Sequence, residues 1–292
     1  MPMINAVLGL ILMFSCHSMS QTTKEVSTFV IALKPDKNPE AMIQERKELE
    51  AYLALETGRK VQVVIPLTGS VIQEGFINGT IDLAYVSGLE MVRAAKTKAA
   101  DLLLVTEVDG RTSYESYWVS LKDKPYAKVQ DLKGKPVTFA SRTSTSGFLI
   151  PMADLVQKKL MKEKAAPEDF FGAGHVTFGT GYVSAIERVL AGQSEAAAVS
   201  DYVMKKDKHL TPEQKEKLKI VTKQGPVPTH ILAVRSSLKK EDRELLQKAL
   251  LKLNKKTELR DRLFTAKLVK TTYDKHVSSL AKALEQTGIV LE

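Results

Sequence analysis

Residues 143–151 read Thr-Ser-Thr-Ser-Gly-Phe-Leu-Ile-Pro, and what flanks them decides the architecture. Before them, Pro136–Ala140 has the short apolar pattern of a buried strand; after them, Leu149–Leu160 has helical periodicity. Three hydroxyl residues, Ser144, Thr145 and Ser146, therefore fall where a helix begins. The first N–H groups of a helix have no partner within it and carry partial positive charge. Hydroxyls beside them make a neutral cradle of donors suited to a tetrahedral oxyanion. Gly147 lets a ligand approach the backbone with no Cβ in the way. A plain N-cap is the competing role, although one hydroxyl is enough for a cap. With the hydroxyls facing a ligand, replacing Thr145 by Val weakens anion binding and leaves folding nearly unchanged.

Outward from this stretch the same strand–helix grammar recurs twice. Upstream lie strands at 28–33, 61–65, 81–86 and 102–108, alternating with helical patterns at 39–56, 70–78 and 88–95. Downstream the alternation restarts with strands at 137–140, 176–178 and 196–199 and helices at 149–160 and 182–191. Such alternation predicts βα units and mostly parallel sheets. Extended segments near 114–121 and 226–235 lead into and out of the second series, and beyond 234 the pattern predicts helices only. Two α/β lobes joined by a hinge follow, lobe 1 from 25–113 with 230–292 and lobe 2 from 114–229. Ligands of open α/β sheets bind beyond the carboxyl ends of the strands, which places the Ser144–Gly147 helix start at the cleft.

Composition narrows the classes. With 43% hydrophobic and 26% charged residues, the chain is an ordinary globular protein of one large or two medium domains. The net charge of +9 is carried largely by amphipathic segments such as Lys205–Lys219 and Lys239–Lys256, where it forms solvated helix faces. A single Trp and no interleaving of basic and aromatic residues argue against nucleic acid as a partner. Ala6–Phe14 is too short to cross a bilayer but has the length of a signal-peptide core, so residues 1–20 are expected to be a signal peptide. The only cysteine, Cys16, follows that run and resembles the lipid-attachment site of bacterial lipoproteins.

The catalytic alternatives have little support. Five histidines, His17, His175, His209, His230 and His276, show no metal-ligand spacing, and no phosphate-loop, dinucleotide or nucleophile-elbow motif is present. No cofactor, no metal and no enzymatic activity are therefore expected. Further candidates sit where strands end. Asp201 follows the Ala196–Ser200 strand and either faces the cleft or caps the next helix. Tyr182, after Gly179-Thr180-Gly181, either donates to an oxyanion or packs between lobes. Tyr85 and Ser87, at the end of the third strand, carry the same two roles, and Ser70 is expected either to cap the helix that ends near Asn78-Gly79 or to meet the ligand.

The ordered set of segments resembles the substrate-binding proteins of phosphate/phosphite/phosphonate ABC transporters, the phosphonate-binding branch of type II periplasmic binding proteins. The likeness rests on Asp131-Leu-Lys-Gly-Lys, then a strand, then Ser144-Thr-Ser-Gly-Phe-Leu-Ile-Pro151. Gly79-Thr-Ile-Asp-Leu-Ala-Tyr85, Glu168-Asp-Phe-Phe171 and the run from Val189 to Asp201 support it. The resemblance implies a bilobal type II fold and an exported protein that captures a phosphonate or related oxyanion for an ABC permease. It also implies phosphonate contacts from Ser144, Thr145 and Ser146, and an acidic cleft residue at Asp201. The chain departs from the family pattern at Thr68-Gly69-Ser70, where Asp-Tyr is frequent, at Val86, where an aromatic is frequent, and at Tyr182, where His is frequent. The alternatives are a sensory binding protein that serves a signalling partner, or a binder of another small organic anion.

Overall fold

The computed structural model describes residues 27–33, 39–66, 68–205, 209–264 and 266–290. The signal-peptide segment and Cys16 lie outside the described residues. The first series runs β1 (Thr28–Ala32), α1 (Pro39–Thr57), β2 (Lys60–Val64), α2 (Gly69–Asn78), β3 (Leu83–Val86), α3 (Gly88–Lys96) and β4 (Ala100–Glu107). The second runs β5 (Ser113–Leu121), β6 (Val137–Phe139), α4 (Ile150–Gln157), α5 (Glu168–Phe171), β7 (Val176–Phe178), α6 (Tyr182–Leu190), β8 (Ala196–Ser200), α7 (Asp201–Lys205), α8 (Pro212–Glu216) and β9 (Leu218–Pro228). The chain then returns through β10 (Ile231–Arg235), α9 (Lys240–Leu253), α10 (Thr257–Phe264), β11 (Lys267–Val269) and α11 (Tyr273–Thr287).

Two mixed sheets result, ordered β11-β4-β10-β3-β1-β2 and β7-β6-β8-β5-β9. In the first, β1, β2 and β3 are parallel, and β10 returns antiparallel between β3 and β4. In the second, β6 is parallel to β7 and β8, and β5 runs antiparallel to β8 and β9. The chain passes between the sheets twice, at 108–112 and at 229–230. The two crossings are tied together, because the Thr229 N–H donates to the Thr112 carbonyl and the Thr106 N–H to the His230 carbonyl.

β11 corrects the expectation of helices alone beyond residue 234. It pairs antiparallel with β4 at the sheet edge, Leu268 opposite Thr106. Three residues of strand are too few to show a period of two.

Each sheet buries apolar residues on both faces, as the near-continuous hydrophobic runs of its parallel strands require. One of the cores crosses the lobes: Leu149 and Ala153 of the second lobe pack with Ile72, Phe76, Val277 and Leu280 of the first. Helix α11, capped by the Thr272 hydroxyl and ended by Gly288 at φ 63°, lies against both α3 and α4.

One buried ion pair fixes the geometry of the first sheet. The Asp82 carboxylate accepts from Nε and a terminal nitrogen of Arg235 at 2.9 and 2.8 Å, and from the Val30 N–H at 2.8 Å. Asp82→Ala leaves the Arg235 guanidinium, 13% exposed, without its counter-charge and the Val30 N–H without that acceptor. We expect a loss of about 3–5 kcal/mol in urea denaturation; a loss below ~1 kcal/mol shows that the pair is not a structural tie.

Candidate functional site

Four of the parallel strands deliver the start of the following helix to one space between the lobes. Strand β2 leads to α2, β3 to α3, β6 to α4 and β7 to α6. Their first residues, Thr68–Ser70, Ser87–Glu90, Ser144–Thr145 and Gly181–Ser184, line one cavity of about 870 Å³. Four partial positive charges thus face a single volume. Among the described residues the lining includes Arg93, Glu90, His209 and His230 but no lysine. Helix termini and hydroxyls therefore outnumber full charges here.

Three of the starts are closed by their own side chains. Thr68, and not Ser70 as expected, caps α2 by accepting from the Val71 N–H at 3.4 Å, because the helix begins at Gly69 and takes Ser70 into its first turn. Ser87 and Glu90 form a reciprocal box on α3: the Ser87 N–H and hydroxyl donate to the Glu90 carboxylate at 2.7 and 2.9 Å, and the Glu90 N–H donates to the Ser87 oxygen at 3.3 Å. Ser144 accepts from the Gly147 N–H at 2.9 Å.

The turn after Ser144 is wider than an α-turn. The Leu149 N–H reaches back five residues to the Ser144 carbonyl at 3.1 Å, and the Ile150 N–H to the Thr145 carbonyl. Pro151, which has no N–H to place, sits in the first turn of α4. Such π-turns are rare and recur at functional sites.

The three hydroxyls consequently differ. Ser144 and Thr145 border the cavity. Thr145 Oγ1 accepts from the Leu89 N–H of the opposite lobe at 3.1 Å. Ser146 is fully buried and does not border the cavity; its Oγ lies 2.8 Å from the Tyr182 hydroxyl oxygen and accepts from the Tyr114 hydroxyl at 3.3 Å. Gly147 is also corrected. A Cβ there would come within 2.4 Å of the Ala140 side chain and 3.1 Å of the Ala198 carbonyl, so the glycine serves packing against the sheet and not ligand approach.

Of the other candidates, Tyr182, Tyr85, Ser87 and Ser70 all line the cavity. Tyr85 also stacks on His230, ring centroids 5.0 Å apart, and meets Phe264 at 5.2 Å. Arg93 donates to Ser70 Oγ at 3.4 Å. Asp201 does not join them. It borders a neighbouring cavity of about 740 Å³ at the crossing segments, and its carboxylate accepts from Lys205 at 2.7 Å. That carboxylate holds the Lys205 ammonium above its usual range, against the opposing effect of burial. Tyr114 and Tyr202, stacked with centroids 4.9 Å apart, border both cavities and form the wall between them.

His209 and His230 were not singled out in the sequence, because each comes from a connection remote from the motif. His175 has a structural place, with Nδ1 2.9 Å from the Phe171 carbonyl.

Comparison with known proteins decides among folds that place helix starts this way. Residues 31–276 match the model of the ABC transporter, phosphonate, periplasmic substrate-binding protein family. The chain belongs to that family. It is 28% identical over 219 residues to the phosphate-import protein PhnD of Mycolicibacterium smegmatis, an alignment that covers 72% of this chain and 67% of the relative. Among solved structures, PhnD1 from Prochlorococcus marinus in complex with methylphosphonate superposes with a TM-score of 0.77 at 17% identity, over 90% of this chain and 99% of that one. XAC2383 from Xanthomonas citri bound to ATP gives 0.76 at 17% identity, over 91% and 100%. The bilobal fold of these binding proteins is that of the present chain.

Thr145 binds structure as well as facing the cavity, and this changes what its replacement is expected to do. Thr145→Val leaves the buried Leu89 N–H without an acceptor, a cost of about 1–3 kcal/mol. Urea denaturation of the variant checks it. Unchanged stability would mean that the bond across the lobes contributes nothing to the fold.

Proposed function

We propose that the interlobe cavity captures a tetrahedral phosphorus oxyanion, a phosphonate or a close relative, for delivery to an ABC permease. The observation that carries this is the polarity of the cradle. Ser144 Oγ already accepts from the Gly147 N–H, and Thr145 Oγ1 from the Leu89 N–H. Each hydroxyl keeps its own proton to give. Donors backed by helix N-termini stabilise an anion without a full counter-charge at the cradle, which keeps release to a permease feasible. The methylphosphonate held by the Prochlorococcus relative supports the ligand class.

The mechanism is a clamp. Lobe 1 (25–113 with 230–292) and lobe 2 (114–229) turn about the paired crossings at 108–112 and 229–230. The anion docks on the Ser144–Thr145 start, with Tyr182 beside it and Ser70, Ser87 and Tyr85 on the facing wall. Closure expels water, and hydrogen bonds strengthen as the local dielectric falls. Asp201, paired with Lys205 in the neighbouring cavity, has no part in this docking. No bond to the ligand is made or broken, and we assign the cleft no catalytic role.

A thermal-shift screen of the purified protein tests the ligand class, since a ligand that binds only the folded state raises the melting temperature by mass action. The panel is phosphate, phosphite, methylphosphonate, 2-aminoethylphosphonate, sulfate, acetate and ATP. ATP is included because cavities of roughly 300–1,000 Å³ accept ligands much larger than methylphosphonate, and this one is about 870 Å³. A shift with one or more phosphorus anions, reduced in Ser144→Ala, is expected. A shift with acetate alone, or with none of the panel, overturns the assignment.

The place of action is the periplasm or cell surface. Among the described residues no helix is long and apolar enough to cross a membrane. We place the signal peptide within residues 1–20, cleaved directly before Cys16, and the membrane attachment on a lipid at Cys16. Mass spectrometry of the mature protein extracted from membranes is expected to find an acylated Cys16 at its N-terminus. A mature chain that starts beyond residue 16 overturns the anchor.

A further inference from the structure

Ser146 makes three polar contacts within lobe 2 although it never meets the cavity. The Tyr114 hydroxyl donates to its Oγ at 3.3 Å. The Ser116 hydroxyl donates to its backbone carbonyl at 2.6 Å, which fixes the backbone behind it. The Tyr182 hydroxyl oxygen lies 2.8 Å from the same Oγ, and Tyr182 alone of this set borders the cavity together with Tyr114.

A serine hydroxyl has one proton to give and two lone pairs to offer. With Tyr114 giving its proton to one lone pair, the serine proton has the Tyr182 oxygen as its near acceptor. Tyr182, having accepted, has its own proton left to present to the cavity. Burial pushes the Tyr114 phenol well above its ordinary range, so the first member of the chain keeps the proton it donates.

Resting on the oxyanion assignment above, we infer that Tyr114, acting through Ser146, is a positioning residue that sets the Tyr182 hydroxyl as a donor to the ligand. Ser146 then serves the anion at one remove and is not a contact. The consequence is selectivity. Ser144, Thr145 and Tyr182 all face the ligand with protons, so lobe 2 accepts bare oxygens and disfavours protonated ones. Bonds that polarise one another in this way also strengthen along the chain. The stacking of Tyr114 on Tyr202 holds the origin of the chain in place at the wall between the two cavities.

The test is a double-variant cycle with two probes, methylphosphonate and inorganic phosphate, read by isothermal titration. Tyr182→Phe removes a hydrogen bond to a charged ligand and should weaken binding roughly tenfold. Tyr114→Phe keeps the ring stack, and its smaller loss should vanish in the Tyr182→Phe background, because Tyr114 acts only through Tyr182. Losses that add in full, or wild-type affinity in Tyr114→Phe, overturn the chain.

A second measurement needs no ligand. Hydroxyl exchange of ring-labelled tyrosine, followed by NMR, should be slow for Tyr114 in the full-length wild-type protein and faster in Ser146→Ala. A Tyr114 hydroxyl that exchanges like a solvent-exposed one in the wild type overturns the inference. Wild-type protein that ignores both probes while Tyr114 keeps its slow hydroxyl supports the chain and strikes the oxyanion assignment instead.

Discussion

The hydrogen bond from the Leu89 N–H to the Thr145 hydroxyl is the contact on which the cleft depends. It joins the first turn of a lobe 1 helix to the first turn leading into a lobe 2 helix, and both groups are buried. A buried N–H without a partner costs free energy, so each helix start needs the other, or a ligand or water in its place. Around this bond the apolar packing of Leu149 and Ala153 against Val277 and Leu280 makes a core common to both lobes. The bond and this core together hold the two lobes against one another where α3, α4 and α11 meet.

The cavity's electrostatics follow from topology more than from charged residues. Parallel strands put the helices they feed at their carboxyl ends, and two such starts from each sheet meet in one space. Among the described residues the lining has no lysine, a single arginine and a single glutamate. That glutamate is engaged by the Ser87 N–H and hydroxyl, which stabilise its carboxylate at the start of α3. Capped helix starts and hydroxyls therefore line the cavity from both lobes, with the one carboxylate among the described lining residues on the lobe 1 side.

The βα alternation and the position of the cradle were legible in the sequence, because both depend on local signals: β-branched runs, Gly stops and hydroxyl caps. Ser144 bordering the cleft follows directly from a strand–turn–helix with a cap. Ser146 facing inward does not. The five-residue turn from Ser144 to Leu149 carries one residue more than an α-turn, and no period in the sequence marks where such a turn falls. Gly147 was misread for a related reason, since the surroundings of its missing Cβ, Ala140 and Ala198, come from two different strands. Asp201 lay at a strand end as expected, but Lys205, one helical turn on, draws its carboxylate to the neighbouring cavity. His209 and His230 meet the site through connections that only the folded chain brings together.

The wall at Gly69 adjoins the cap of α3. A Cβ on Gly69 would lie 2.4 Å from Glu90 Oε1, so a side chain at 69 requires the carboxylate end of Glu90 to shift. The other oxygen of that carboxylate accepts from Ser87 in the cap of α3. Helix α3 is also the one whose Leu89 N–H holds Thr145. Gly69, the Ser87–Glu90 cap and the Thr145 hydroxyl thus lie in one run of contacts along the first turn of α3, which joins the lobe 1 wall to the lobe 2 helix start.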